Sequence, residues 1–305
     1  MKILWVFKTR RHNHLMSSAK RLHYDFIMKL EAFAEIIRIE PEKILKRVRE
    51  HNPDIILVYS YHSIKKSTEL EVFKDIDIPK LCIEVDYYSV KDMDWYKRNG
   101  FCLVHRGHIP NDPNPWLPFS CDEQLLRYQR NKLSIREHRI GFTGSYKIGS
   151  RILWKTRGNA IQQLKRADLI HINGTNGNVG HKFYPANLAS SFCALACSGY
   201  VVNSPFGKVF EVMGSGTLLM TTPLNASNIL FGCDNFFYTY KKDCSDVVAV
   251  ARKILSDPIK RQQEMVDEAA NIIGQAHTDS HRIAELLEII YAVMDNREVP
   301  RRWIP

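Results

Sequence analysis

The sequence predicts an α/β protein of two Rossmann-like domains facing a cleft, with a helical tail at the C-terminus. Three observations carry this expectation. Short apolar runs alternate with longer stretches of helical period in both halves of the chain, the signature of parallel βα units. A charged segment at 122–138, without a buried-strand pattern, divides the halves. The length of 305 residues suits two compact domains of about 150 each. The resulting division is an N-terminal domain over 1–121, a linker over 122–138, a C-terminal domain over 139–275, and a tail over 276–305 that braces both.

In the first half the expected strands are KILWVF, DIILVYS, KLCIEV and FCLV. Between the first two, SAKRLHYDFIMKLEAF carries apolar residues on one helical face, and PEKILKRVREH opens with a proline suited to a first helical turn. In the second half RIGFTGS, ADLIHING, SGYVVNS, GTLLMTT and NFFYTY read as strands. Helices are expected around 150–166, 186–197, 208–214 and 246–255, and the tail reads as helical from Pro258 to about Asp295. The Asn/Gly-rich INGTNGNVG at 172–180 follows a strand and reads as a flexible loop beside the cleft.

Composition narrows the class. With 45% hydrophobic and 25% charged residues the chain is an ordinary globular protein, neither disordered nor fibrous. No apolar stretch approaches the roughly 18–20 residues that span a bilayer, and the N-terminal pattern is a poor signal peptide, so a cytoplasmic protein is expected. Seven scattered cysteines lack metal-ligand spacing and read as core thiols, and the sequons at Asn173 and Asn225 then carry little meaning. The net charge of +10, concentrated in the first 30 residues, suits an anionic partner: nucleic acid, a membrane surface met peripherally, or a phosphate-bearing substrate. The aspartate pairs of DID at 75–77 and DMD at 92–94 lie away from any expected donor site, and no metal is assigned to them.

The segment KVFEVMGSGTLLMT at 208–221 concentrates the chemistry. A short helix beginning at Lys208 presents unpaired backbone N–H groups at its start, where Asn203 or Ser204 closes the turn and Lys208 adds a point charge suited to a diphosphate. Glu211, three residues on, shares that helical face, and its carboxylate can accept both hydroxyls of a ribose diol. Gly214, Ser215, Gly216 and Thr217 form a small-residue break that allows a tight helix-to-strand turn or a close approach to a nucleotide. A second loop, GFTGSYKIGSRILWKTRGNAI, supplies Gly144 and Ser145 for a compact turn and Arg151, Lys155 and Arg157 as charges for phosphates. It lacks the Gly-Lys-Ser/Thr ending of a P-loop, which argues against ATP hydrolysis.

In their order and spacing GFTGS with Arg151, KVFEVMGSGTLLMTT, FGCDNFFYTY and HTDSHRIAELL resemble a GT-B glycosyltransferase of the spore-maturation or spore-coat type, a glycosyltransferase-family-1-like protein. PDIILVYS, IEVDYY and WLPFSCD extend the likeness more loosely into the first half. The resemblance implies a nucleoside-diphosphate-sugar donor, marginally a UDP-sugar, as substrate rather than a tightly bound cofactor. It places Glu211 on the donor ribose, and Lys208 with Arg151 on the leaving diphosphate, with no metal required. Related retaining enzymes often carry a second acid eight positions before the ribose acid; here that position is Asn203, and where many relatives have arginine this chain has Lys208.

On the first domain, Arg10, Arg11, His12 and His14 follow the first strand and would meet an anionic acceptor. Asp86 and His105 stand at strand exits, Asp86 to take a hydrogen bond from an acceptor hydroxyl and His105 beside the transferred sugar. The acceptor is a glycan, a lipid-linked glycan, a protein hydroxyl or a hydroxymethylated base in DNA. A non-catalytic nucleotide- or nucleic-acid-binding module is the competing class, although the chain has no DNA-reading motif.

Overall fold

The computed structural model describes residues 1–6, 24–59, 68–85, 94–109, 111–144, 155–173, 183–197 and 204–303. Two compact units result: unit 1 holds Met1–Pro118 and Ser280–Pro305, and unit 2 holds Phe119–Asp279.

Unit 1 is built on a five-stranded parallel sheet of β1 (Lys2–Val6), β2 (Glu35–Ile39), β3 (Ile55–Tyr59), β4 (Lys80–Glu84) and β5 (Phe101–His105), in the order β2-β1-β3-β4-β5. β3 and β4 are buried at every position, which is why their sequences read as unbroken apolar runs rather than alternating ones. β2 was not expected; its EIIRI sequence is only half covered, as befits an edge strand. Helix α1 (Ile44–His51) follows a 3-10 turn at Pro41–Lys43 and ends at Asn52, whose φ of 43° provides a left-handed stop.

Unit 2 repeats the plan with β6 (Glu137–Phe142), β7 (Ile170–Ile172), β8 (Ser191–Leu195), β9 (Leu218–Thr221) and β10 (Phe237–Thr239), all parallel, ordered β10-β9-β8-β6-β7. The helices used below are α2 (Lys155–Arg166), α3 (Tyr184–Ser190), α4 (Gly207–Gly214), α5 (Val247–Ser256) and α6 (Ile259–Ala276). The core joins Ile140, Phe142, Ile161, Leu164, Phe192, Leu195, Leu218, Met220 and Ile254.

One expectation changes. The helix expected over 186–197 stops at Ser190, and SFCAL becomes the central strand β8, fully buried between β6 and β9. A short apolar run has no period of its own, so the vacant slot in the sheet decides its conformation. The strand expected at SGYVVNS falls on 198–203, outside the described residues, and Ser204 beyond it is not in a strand. The segment 122–138 packs within unit 2. Asp122 caps its first turn by accepting from the Gln124 N–H at 3.0 Å. Gln129 Nε2 then donates to the carbonyls of Gly214 and Ala270 at 3.1 and 3.3 Å, and Leu133 N donates to Gln263 at 2.8 Å. α6 belongs to unit 2, and α7 (Asp279–Met294) runs almost wholly in unit 1. Among the described residues no helix is long and apolar enough to cross a membrane.

Gly214 shows how tightly unit 2 closes. A Cβ there would lie 2.4 Å from Cys121 Sγ and 3.1 Å from Ile273 Cγ2, whereas one at Gly274 on α6 would meet nothing within 4 Å. Gly214→Ala is therefore expected to destabilise unit 2 by about 1–3 kcal/mol through overpacking. Gly274→Ala should stabilise it by up to about 1 kcal/mol through helix propensity. Urea unfolding of the two variants measures both, and equal midpoints would show that the Cys121 contact yields freely.

Candidate functional site

The carboxyl ends of β6 and β8 form the edge around which unit 2 gathers its charged side chains. Gly141 pairs with Ala194, so in continued register Thr143 and Gly144 lie opposite Ala196 and Cys197, just beyond the strands. Open parallel sheets bind ligands at this edge, because the loops that leave it diverge to either side.

Helix α4 supplies the two central charges. Phe206 precedes it in an extended conformation, Gly207 is its first residue, and the spacing of Lys208 and Glu211 puts both on one face. Lys208 Nζ donates to the Thr143 carbonyl and sits 5.5 Å from the ring centre of Phe142 and 5.6 Å from that of Tyr184. Glu211 is 1% exposed, and its carboxylate accepts the Tyr184 hydroxyl. Gly144 has a φ of 138°, and a Cβ on it would come within 3.3 Å of Lys208 Nζ. Lys208, Glu211 and Gly144, singled out from separate stretches of sequence, thus meet at one place.

Arg157, near the start of α2, donates to the Cys197 carbonyl at 2.8 Å. It lies at the same strand edge as Lys208 and raises the positive potential there, whereas Lys155 is exposed at the first residue of α2. Of the three cations in that loop and helix, Arg151 lies outside the described residues, as do Ser145, Asn203, Asp86, Arg10, Arg11, His12 and His14.

The small-residue break has packing partners inside unit 2. Ser215 and Thr217 are buried, and their hydroxyls lie 2.9 Å apart. Arg136, 8% exposed, donates to Thr217 Oγ1 at 2.5 Å and to the Ser215 carbonyl at 3.0 Å. Gly216 has a φ of 64°, and a Cβ there would stand 3.2 Å from Gln129 Cα. Gly214, Ser215, Gly216 and Thr217 therefore turn towards Cys121, Gln129 and Arg136 in the interior of unit 2, which supplies a packing reason for their small size.

Sequence reasoning passed over Tyr184, Thr143 and Asn173 as members of this site. Asn173, read as a sequon and as part of the loop at 172–180, is 4% exposed; its side-chain amide donates to Thr143 Oγ1 at 3.2 Å and to the Asn187 carbonyl at 3.4 Å, tying α3 to the end of β6. Tyr184 opens α3 and is fully buried. No local motif marks either residue; only the sheet register brings them to the Lys208 edge.

In unit 1, His105 ends β5 and is 1% exposed, with Nε2 3.6 Å from Asp112 Oδ2. Burial lowers its pKa, against the raising effect of Asp112. Beside it Glu84 is fully buried and accepts from Tyr96 at 3.4 Å, and Arg106 stacks over Phe26 at 4.3 Å. The strand exit is as expected, but the imidazole is enclosed within unit 1 rather than displayed.

Burial pushes the Lys208 ammonium down to about 8, against the Glu211 carboxylate, which raises it, and together with the Arg157 guanidinium, which lowers it further. The sign of the consequence follows. Between about pH 8 and the ordinary lysine value the unfolded chain binds the proton that the folded chain has released, so this group makes stability rise with pH across that window. Relative to Lys208→Met, the wild type should gain stability from pH 8 to 10 with a slope of at most about 1.4 kcal/mol per pH unit, reduced by the side chain's partial exposure. Urea titrations of both proteins at matched pH measure it; parallel curves would mean that the ammonium keeps its ordinary affinity.

Residues 145–288, just under half of the chain, match a family model described as glycosyl transferase-like. No curated protein matches the chain. Solved structures share the whole architecture. Sucrose-phosphate synthase from Thermosynechococcus elongatus aligns with a TM-score of 0.63 at 10% identity, covering 97% of this chain and 100% of that one. Anabaena Alr3699/HepE in complex with UDP and glucose aligns at 0.59 and 13% identity, covering 96% and 100%. An alpha-glucosyltransferase in complex with UDP and a 13-mer DNA containing a HMU base aligns at 0.58 and 11% identity, covering 95% and 99%. The fold is the GT-B architecture of two parallel-sheet domains.

Proposed function

We propose that this chain transfers a sugar from a nucleoside-diphosphate sugar, with UDP as the nucleotide, to a hydroxyl acceptor. The observation that carries the reading is the meeting of Lys208 and Glu211 on one face of α4 at the carboxyl edge of β6. A carboxylate and a cation at that spacing match the two ends of a nucleoside diphosphate: Glu211 accepts the ribose hydroxyls, and Lys208 faces the phosphates. As the glycosidic bond breaks, negative charge grows on the departing diphosphate, so a cation already in place stabilises the transition state more than the ground state. Arg151 is proposed to share this role, Gly144 leaves room for Lys208, and Arg157 adds charge from the neighbouring strand end. Lys208, Arg151 and Arg157 together supply the positive charge the leaving group needs, so the proposal includes no metal. Asn203, eight positions before Glu211, stands where related retaining enzymes often carry a second acid and would hydrogen-bond a sugar hydroxyl without that charge, so retention is proposed from the family likeness alone.

Incubation with UDP-, GDP-, ADP- and dTDP-sugars tests the reading through slow release of the nucleoside diphosphate. Glu211→Ala is expected to weaken donor binding by roughly 10- to 100-fold, the scale of hydrogen bonds to a charged group. Lys208→Ala should cost about 2–4 kcal/mol in transition-state stabilisation, read from single-turnover rates at saturating donor. A folded protein that releases no nucleotide from any of the four donors would refute the proposal.

For the acceptor, glycan, lipid-linked glycan and protein hydroxyls all suit the chemistry, with Asp86 proposed to take the acceptor's hydrogen bond. One observation favours hydroxymethylated DNA as a further reading: the alpha-glucosyltransferase whose fold this chain shares was solved with DNA, and the present chain carries a net charge of +10. Mass analysis of hydroxymethylated DNA, unmodified DNA and a glycan panel after reaction separates the two. Sugar on the hydroxymethylated DNA alone supports it, and glycan transfer without a DNA product rejects it.

A further inference from the structure

Tyr184 touches both charges of the proposed donor site. Its hydroxyl donates to the Glu211 carboxylate, and its ring face lies 5.6 Å from Lys208 Nζ. The side chain is fully buried, so neither contact is a chance surface encounter. Its position is held from both directions along the chain. Asn187, one turn later in α3, folds its backbone N–H and its side-chain amide back onto the Phe183 carbonyl at 2.9 Å each. Asn173 then bridges the Asn187 carbonyl to Thr143 Oγ1, on the same residue whose carbonyl receives Lys208. Pro185 sits in the first turn of α3, where its missing N–H costs no helical bond and its ring limits the backbone.

A carboxylate has two oxygens and about four lone-pair directions, and a ribose diol needs only two of them. A phenol fixed on Glu211 Oε2 takes one of these directions and sets the plane of the group. A buried aromatic face beside an ammonium likewise favours the charged form at a fixed place.

From this geometry we infer that Tyr184 is a positioning residue for donor recognition: its hydroxyl orients Glu211 towards the ribose diol, and its ring holds the Lys208 ammonium towards the diphosphate. The inference deepens the proposed function and rests on the ribose role of Glu211 given there. It separates one side chain into two functions that two substitutions can part. Tyr184→Phe keeps the ring and removes only the hydroxyl, whereas Tyr184→Leu removes both.

The test uses the full chain and binding measurements with whichever of UDP, GDP and ADP binds the wild type most tightly, together with its 2′,3′-dideoxy counterpart and its monophosphate. In the wild type the diphosphate with an intact diol should bind at least about tenfold more tightly than the dideoxy form. In Tyr184→Phe that preference should shrink severalfold while the preference for diphosphate over monophosphate is retained. In Tyr184→Leu both preferences should fall. A merely structural role for Tyr184 would weaken all three ligands alike, and that result, or an undiminished diol preference in Tyr184→Phe, overturns the inference while leaving the ribose role of Glu211 standing. A wild type that does not distinguish the dideoxy ligand, or binds none of the nucleotides, overturns the ribose role itself and this inference with it. Should Tyr184→Leu fail to fold, the Phe variant decides the hydroxyl's role alone.

Discussion

The buried guanidinium of Arg136 is the constraint on which unit 2 depends. Its planar fork donates to Thr217 Oγ1 and the Ser215 carbonyl on one side, and to the carbonyls of Tyr128 and Asn131 on the other, at 2.5–3.2 Å. Ser215–Thr217 is the junction between α4 and β9, and Arg136 is the residue immediately before β6. One side chain therefore fixes where two strands begin and where α4 ends. A lysine would carry the charge but lose the fork that reaches four acceptors, and an apolar residue would remove the donor from the buried Thr217 hydroxyl and Ser215 carbonyl.

That fixation is what lets α4 carry charge into the fold. Lys208 and Glu211 are three residues apart on a helix of eight, and Gly214 lies so close to Cys121 that the end of this helix has no room to shift. Burying an ammonium and a carboxylate costs free energy unless each finds hydrogen-bonding partners. Here the partners are the Thr143 carbonyl for Lys208 and the Tyr184 hydroxyl for Glu211. The depressed affinity of Lys208 for its proton reports the cost that those partners do not offset. An anion placed at this edge would raise the ammonium's affinity for its proton, so binding of an anion and protonation are coupled at the same atom.

Much of the fold was legible in the sequence. Parallel strands buried on both faces must read as continuous apolar runs, so KLCIE, IILVY and LLMT identified themselves. A short run or a charged stretch owes its state to what lies beside it: SFCAL is a strand because it lies between β6 and β9, and the 122–138 segment packs against α6 and Gly214. The edge strand β2 escaped because half-covered positions admit polar residues and blur the pattern.

For the site, the sequence by itself determined which charges share a helical face, because the spacing of Lys208 and Glu211 is a property of any α-helix. It also determined that glycines flank the α4–β9 turn, though the reason for them belongs to Cys121, Gln129 and Arg136, which are remote in the chain. Only the tertiary structure decided that Thr143, Tyr184, Asn173 and Arg157 join Lys208 and Glu211. Parallel strands are never neighbours through a tight turn, so the residues at their common edge come from distant segments, and their meeting is set by strand order and register rather than by local pattern.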